Sequence, residues 1–182
     1  MVLIPGEVKI SRSLARTLRN STYEIRFDSA FEQVMHACAA PRRQHDGTWI
    51  SEEMIAAYGT LHRMGYAHSV EVWMPETTSR PQRSKAGELE LVGGLYGVAI
   101  GRMFYGESMF SKASNTSKIA LAHLARQLER WDFGMIDCQM KTLHLASLGA
   151  REIPRSEFVA CLQELVHYAP ITDWRFDTDL FI

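Results

Sequence analysis

Two short segments carry the side chains most able to do chemistry. Glu107 and Ser108 sit in Gly106-Glu107-Ser108-Met109-Phe110-Ser111, and Asp137 and Gln139 sit in Ile136-Asp137-Cys138-Gln139, some thirty residues on. Each places polar groups inside an otherwise apolar run. An unpartnered polar group costs roughly 1–3 kcal/mol to bury, so a functional site is the economical reading of both segments. A structural salt bridge or cap made by Asp137 and Glu107 is the competing view. Ser108 with a distant His and Asp137 makes a weak hydrolytic triad, because the glycines of a nucleophile elbow are missing. His36 and Cys38, two apart on a helix, do not share a face, and no third ligand is spaced with them, so no metal site is expected.

These residues require elements to position them. Tyr23, Ile25 and Phe27 alternate with Glu24 and Arg26, the period of a half-buried strand. Ser29 and Glu32 have the spacing of a capping box opening a helix that carries Phe31, Val34, Met35 and Cys38 and stops before Pro41. Ser51, with Glu52 and Glu53 behind it, opens a second helix through Ile55, Tyr58, Leu61 and His62 to Gly65. His68 to Met74 alternates again as a strand. Residues 75–88, rich in Pro, Thr, Ser and basic side chains, read as a mobile loop. Leu89 to Ala99 and Arg102 to Met109 predict an antiparallel pair turning at Ile100-Gly101, with Gly93, Gly94 and Gly97 marking a bulge or a ligand against the backbone. Asn115 caps a long amphipathic helix through Ile119, Leu121, Leu124, Leu128 and Trp131, and Met135 to Met140 is the buried strand after it. In that strand Asp137 and Gln139, two apart, share a face. A short helix over His144 to Leu148, a last one over Glu157 to Tyr168 and an aromatic tail from Pro170 complete the chain.

The order predicts an α+β fold, a mixed β-sheet flanked by helices, similar to the acyl-CoA N-acyltransferase superfamily. That superfamily holds pyrophosphate on a glycine-rich turn at the start of its long helix. The turn here, Ser111 to Ser117, has no glycine, so acetyl-CoA is not expected as donor and no cofactor is implied. With 182 residues and 46% apolar content, a single domain over 1–182 is expected. A net charge of −1 excludes a global pull toward nucleic acid or acidic membranes, which leaves RNA contacts to local clusters. Those clusters are Arg12, Arg16 and Arg19; Arg42 and Arg43; and Arg80, Arg83 and Lys85. Cys38, Cys138 and Cys161, an odd number without framework spacing, point to reduced thiols in a cytoplasmic protein. No stretch has the length and apolarity of a membrane span.

Six blocks in order carry a resemblance: Thr48-Trp49-Ile50, Gly65 to Trp73, Leu91 to Gly97, Gly106 to Ser111, Ile136 to Gln139, and His144 to Ala150. Together, over about Ile10 to Leu165, they closely resemble the bacterial leucyl/phenylalanyl-tRNA–protein transferases. The resemblance implies transfer of Leu or Phe, with Met as a further donor, from aminoacyl-tRNA to proteins beginning with Arg or Lys, creating a degradation signal. It implies Asp137 and Gln139 as the catalytic pair and Glu107 as the site glutamate. It also implies an apolar hole from Leu95, Phe104, Met109, Leu121, Leu124 and Ile136, with Trp73 beside the terminal adenosine. Leu124 stands where the family often has an aromatic residue. The partners implied are leucyl- or phenylalanyl-tRNA and the acceptor protein, with a monomer expected. The family's N-terminal small domain is expected to be absent, since the chain begins near its end. That departure leaves a second reading, a catalytically silent RNA- or protein-binding module on the same core.

Overall fold

The structure, a computed structural model, describes residues 1–40, 48–76 and 88–181. Among these residues six strands form one sheet: β1 (Val2–Leu3), β2 (Glu24–Phe27), β3 (Ala67–Pro75), β4 (Leu89–Ile100), β5 (Met103–Ser111) and β6 (Met135–Asp137). Their order across the sheet is β1-β6-β5-β4-β3-β2. Only β5 and β6 run parallel, and a parallel pair needs a crossover. The crossover is α4 (Thr116–Arg130), the long helix. The predicted α+β class, the β4/β5 hairpin and the strand–helix–strand order around the candidate residues are all present. Gly101, with φ of +60°, occupies the turn of that hairpin.

Alternation along the strands divides the core between the two faces. On one face Val70, Val72, Leu95, Phe104 and Ile136 pack under α4. That face also takes Leu14 and Leu18 of α1 (Arg12–Asn20), a helix that periodicity did not reveal. On the other face α2 (Phe31–Ala39) and α3 (Glu52–Arg63) cover Leu91, Tyr96 and Phe110. The same side of the β6 end takes α5 (Arg155–Leu165), which packs on Met103 and Met135. Ser51 caps α3 as expected, accepting from the Met54 N–H at 3.4 Å.

Two predicted caps are corrected. Ser29 does not form a capping box with Glu32; its hydroxyl donates to Glu71 Oε2 at 2.8 Å, and α2 begins without a side-chain cap. Glu71 is completely buried, and a carboxylate in that position draws the nearby donors. Ser69 Oγ supplies another, at 2.5 Å. Asn115 occupies the N-cap position of α4 with φ of +64°, but its side chain makes no capping hydrogen bond. Ser111 Oγ instead accepts the Ser117 N–H at 2.9 Å.

The glycines of β4 answer to close packing. The register slips between Val72 and Trp73, placing a bulge at Val92. A Cβ on Gly93 would lie 2.3 Å from Thr116 Oγ1, and one on Gly97 would lie 2.3 Å from the Tyr105 carbonyl. The 75–88 segment joins β3 to β4. Its ends are tied by the Glu76 N–H to the Glu88 carbonyl at 3.1 Å, and the expected mobile loop itself lies outside the described residues, as do Arg42, Arg43, Arg80, Arg83 and Lys85.

The aperiodic tail acts as an aromatic strap. Trp174 stacks on His68 at 3.6 Å and Phe176 on Phe27 at 3.8 Å, while the Asp177 N–H donates to Gln127 Oε1 at 2.7 Å. Under it lies His123, 6% exposed, whose Nδ1–H donates to the Ile119 carbonyl at 3.0 Å. Burial pushes its pKa down to about 4. The folded value lies below the ordinary 6.5, so the neutral imidazole stabilises the fold fully above that pH. This contribution, about 3 kcal/mol, is lost as pH falls toward 4. Thermal denaturation at pH 7 and pH 4.5 should show a smaller pH-induced drop in Tm for His123→Phe than for the parent; equal drops would assign the acid sensitivity elsewhere.

Candidate active site

The candidate residues meet where the parallel strands separate. β5 and β6 pair at Met103 with Met135, Phe104 with Ile136 and Tyr105 with Asp137, and no further. Gly106 follows at once. A Cβ there would make ordinary van der Waals contact with the Asp137 carbonyl at 3.4 Å and Ile136 Cγ2 at 3.9 Å. Beyond it the register of β4 with β5 steps from Gly97 opposite Gly106 to Tyr96 opposite Ser108. Glu107 is therefore the extra residue of a β-bulge, a device that re-aims a side chain.

The strand predicted over Met135 to Met140 ends at Asp137, so the shared-face argument for Asp137 and Gln139 is corrected. Gln139 takes φ of +56°, a left-handed conformation uncommon outside glycine. The Asp137 carboxylate holds it there, with Oδ1 accepting the Gln139 N–H at 2.8 Å. This turn brings Gln139 across the gap, where Nε2 donates to Glu107 Oε2 at 3.1 Å. The three residues thus meet through a left-handed turn on one strand and a bulge on the other.

Sequence reasoning missed the aromatic side of the site. Tyr58, on α3, lies beside Glu107; burial first, then the charge and polar contact of Glu107, push its pKa up to about 12. Tyr96 stands against it, ring centroids 5.3 Å apart. Both tyrosines sat at apolar positions of their periodic patterns and read as core. Tyr105 is likewise shifted upward, by burial and by Asp137. Cys138, between the two candidate catalytic residues, has its thiol pushed up to about 11 by burial and by Asp137. Little thiolate exists at neutral pH, which disfavours it as a nucleophile.

The expected apolar hole is brought together in part. Leu95, Phe104, Leu121, Leu124 and Ile136 belong to one cluster beneath α4, each at most 3% exposed, and half-buried Met109 packs against it. Asp137 follows Ile136 in β6, so the carboxylate and the apolar cluster occupy opposite faces of the sheet. Trp73 is not part of this group: it pairs with Leu91 and packs with the α2 and α3 side. The Arg26 guanidinium lies 5.0 Å from its ring centroid. Trp49, by contrast, is 53% exposed. Arg12, Arg16 and Arg19 are all exposed, at helical spacing along α1. Among the described residues no group of His, Cys, Asp and Glu is arranged to hold a metal ion, and no helix is long and apolar enough to cross a membrane.

Comparison with known proteins identifies the family. The family profile described as leucyl/phenylalanyl-tRNA protein transferase matches residues 2–163. The chain is 62% identical over 178 residues to the leucyl/phenylalanyl-tRNA–protein transferase of Nitrosospira multiformis, covering 97% of this chain and 71% of that protein. It is 64% identical over 165 residues to the one from Nitrosomonas europaea, covering 91% and 64%. With the Thiobacillus denitrificans protein it shares 58% over 179 residues, covering 98% and 73%. The chain therefore belongs to the leucyl/phenylalanyl-tRNA protein transferase family.

Proposed function

We propose that this chain transfers Leu or Phe from aminoacyl-tRNA to the N-terminal amine of proteins beginning with Arg or Lys, in the cytoplasm, and so marks them for degradation. The observation that carries the reading is the Glu107–Gln139–Asp137 constellation at the parting of β5 and β6. The reaction is aminolysis of an ester. The acceptor nitrogen attacks the aminoacyl carbonyl, a C–N bond forms, the ester C–O bond breaks, and the amine proton passes to the ribose oxygen that leaves. An α-amine with a pKa of about 7.7–8.0 is already partly nucleophilic at neutral pH, so catalysis is mainly alignment.

In this reading Gln139 is the aligning acceptor. Its Oε1 accepts from the attacking amine, and Asp137 keeps the turn that points it. A neutral amide is a poor base, which assigns the proton to the leaving ribose oxygen. Glu107 offers a carboxylate for the acceptor's cationic group, a charge-assisted contact. The donor side chain is assigned to Met109 and the apolar cluster around Leu95, Phe104, Leu121, Leu124 and Ile136. Leu124 in place of an aromatic leaves more room for Phe. For the adenosine, Trp49 offers a free stacking face, whereas Arg26 must leave Trp73 before a base can stack there. A stacked base is worth about 1–3 kcal/mol.

The test is an acceptor panel. Labelled Phe on tRNA is offered to peptides differing only in their first residue. Transfer to Arg and Lys peptides above the others is expected, and indifference to the first residue would contradict the role given to Glu107.

A further inference from the structure

Tyr96 is completely buried, yet its hydroxyl has no hydrogen-bond partner. A buried O–H without a partner destabilises a fold, and Phe at the same place would avoid the cost. Its location gives the hydroxyl a use. Tyr96 faces Ser108 across β5, one residue past the bulged Glu107, and packs edge-on against Tyr58 at 5.3 Å. Tyr58 in turn lies within reach of the charge of Glu107. Burial first, then Cys38 and Tyr58 and last the charge of Glu107, push the pKa of Tyr96 up, so the hydroxyl is neutral and able to donate.

Glu107 has two duties in the proposed reaction that conflict in this arrangement. Its Oε2 accepts from Gln139 Nε2 at 3.1 Å, while the acceptor's cation needs the same carboxylate. We propose that Tyr96 is a positioning residue for Glu107, its hydroxyl donating to that carboxylate when the acceptor's cation engages it and Gln139 swings free to align the amine. The inference rests on the transfer reading above. Tyr58 and Tyr96 then hold the carboxylate from the α3 side as Gln139 leaves, and a buried hydroxyl that costs stability at rest is repaid in turnover.

The test combines stability with kinetics in Tyr96→Phe. Chemical denaturation should give equal or greater stability than the parent, because an unpartnered hydroxyl is removed. The kcat for transfer to an Arg-initiated peptide should fall about tenfold, with the KM for aminoacyl-tRNA within about twofold. In a Gln139→Ala background the same substitution should have little further effect on kcat, since the group it releases is gone. Unchanged kcat overturns the inference. So does a joint fall of stability and kcat, which makes the hydroxyl an ordinary structural partner, and so does a full tenfold loss in the Gln139→Ala background. A parent chain that transfers nothing overturns the transfer reading and the inference with it.

Discussion

Asp137→Ala is expected to lower transfer of Leu or Phe to an Arg-initiated peptide by about two to three orders of magnitude while lowering stability by only about 1 kcal/mol. The asymmetry follows from what Asp137 does. Its carboxylate accepts the Gln139 N–H at 2.8 Å and closes a turn in which Gln139 has φ of +56°. A left-handed conformation at a residue with a Cβ costs roughly 1–2 kcal/mol, so without its partner the turn relaxes toward the extended region. Little of the core feels this, because β6 has already ended. The Gln139 side chain, however, loses its place at the gap, and a misplacement of about 1 Å at a reacting centre costs roughly a hundredfold. Asp137→Asn keeps an oxygen for the N–H and should lose about tenfold. Steady-state transfer with denaturation of both variants checks this, and an Ala variant that falls equally in stability and activity would reduce Asp137 to a cap.

The second large effect is on stability. Gly97→Ala is expected to destabilise the protein by about 3 kcal/mol. A Cβ at this position would meet the Tyr105 carbonyl at 2.3 Å and Phe104 Cε1 at 2.5 Å. Backbone cannot yield as a flexible side-chain tip can, and Phe104, 1% exposed, has nowhere to move. Relief requires β5 to shift from β4 beside the bulge that aims Glu107, so activity should fall with stability. Gly59→Ala is the control of opposite sign. It sits inside α3, its Cβ would come only to 3.6 Å from Arg63 Nη1, and replacing an interior helical glycine gains about 0.5–1 kcal/mol. Urea denaturation of the two variants distinguishes these outcomes, and a Gly97→Ala protein as stable as the parent would contradict the packing described for β4.

Periodicity made most of the framework legible. Alternation in β3 and β4 and the apolar stripe of α4 follow directly from burial on one face, so the elements appear where pattern places them. Polar residues in apolar runs likewise marked Glu107 and Asp137. What pattern could not carry was backbone detail set by tertiary partners. The turn at Gln139 depends on a hydrogen bond to a residue two positions back, and the bulge at Glu107 on the register with β4. Ser29 has the spacing of a cap, yet a buried carboxylate some forty residues away claims its hydroxyl. Tyr58 and Tyr96 fit an apolar stripe as well as Phe would, and only their three-dimensional contact with Glu107 and each other separates them from core. The tail had no period because its aromatics fill separate gaps over β2, β3 and α4, one ring at a time.

The most direct test of the account is single-turnover transfer of labelled Leu and Phe from charged tRNA to an Arg-initiated peptide, run side by side with this chain and its Gln139→Ala variant. Transfer by the parent, falling about a hundredfold or more in the variant while charged-tRNA affinity stays within about threefold, is the predicted result. Equal rates in the two proteins, or no transfer by a parent that still binds charged tRNA, would contradict it.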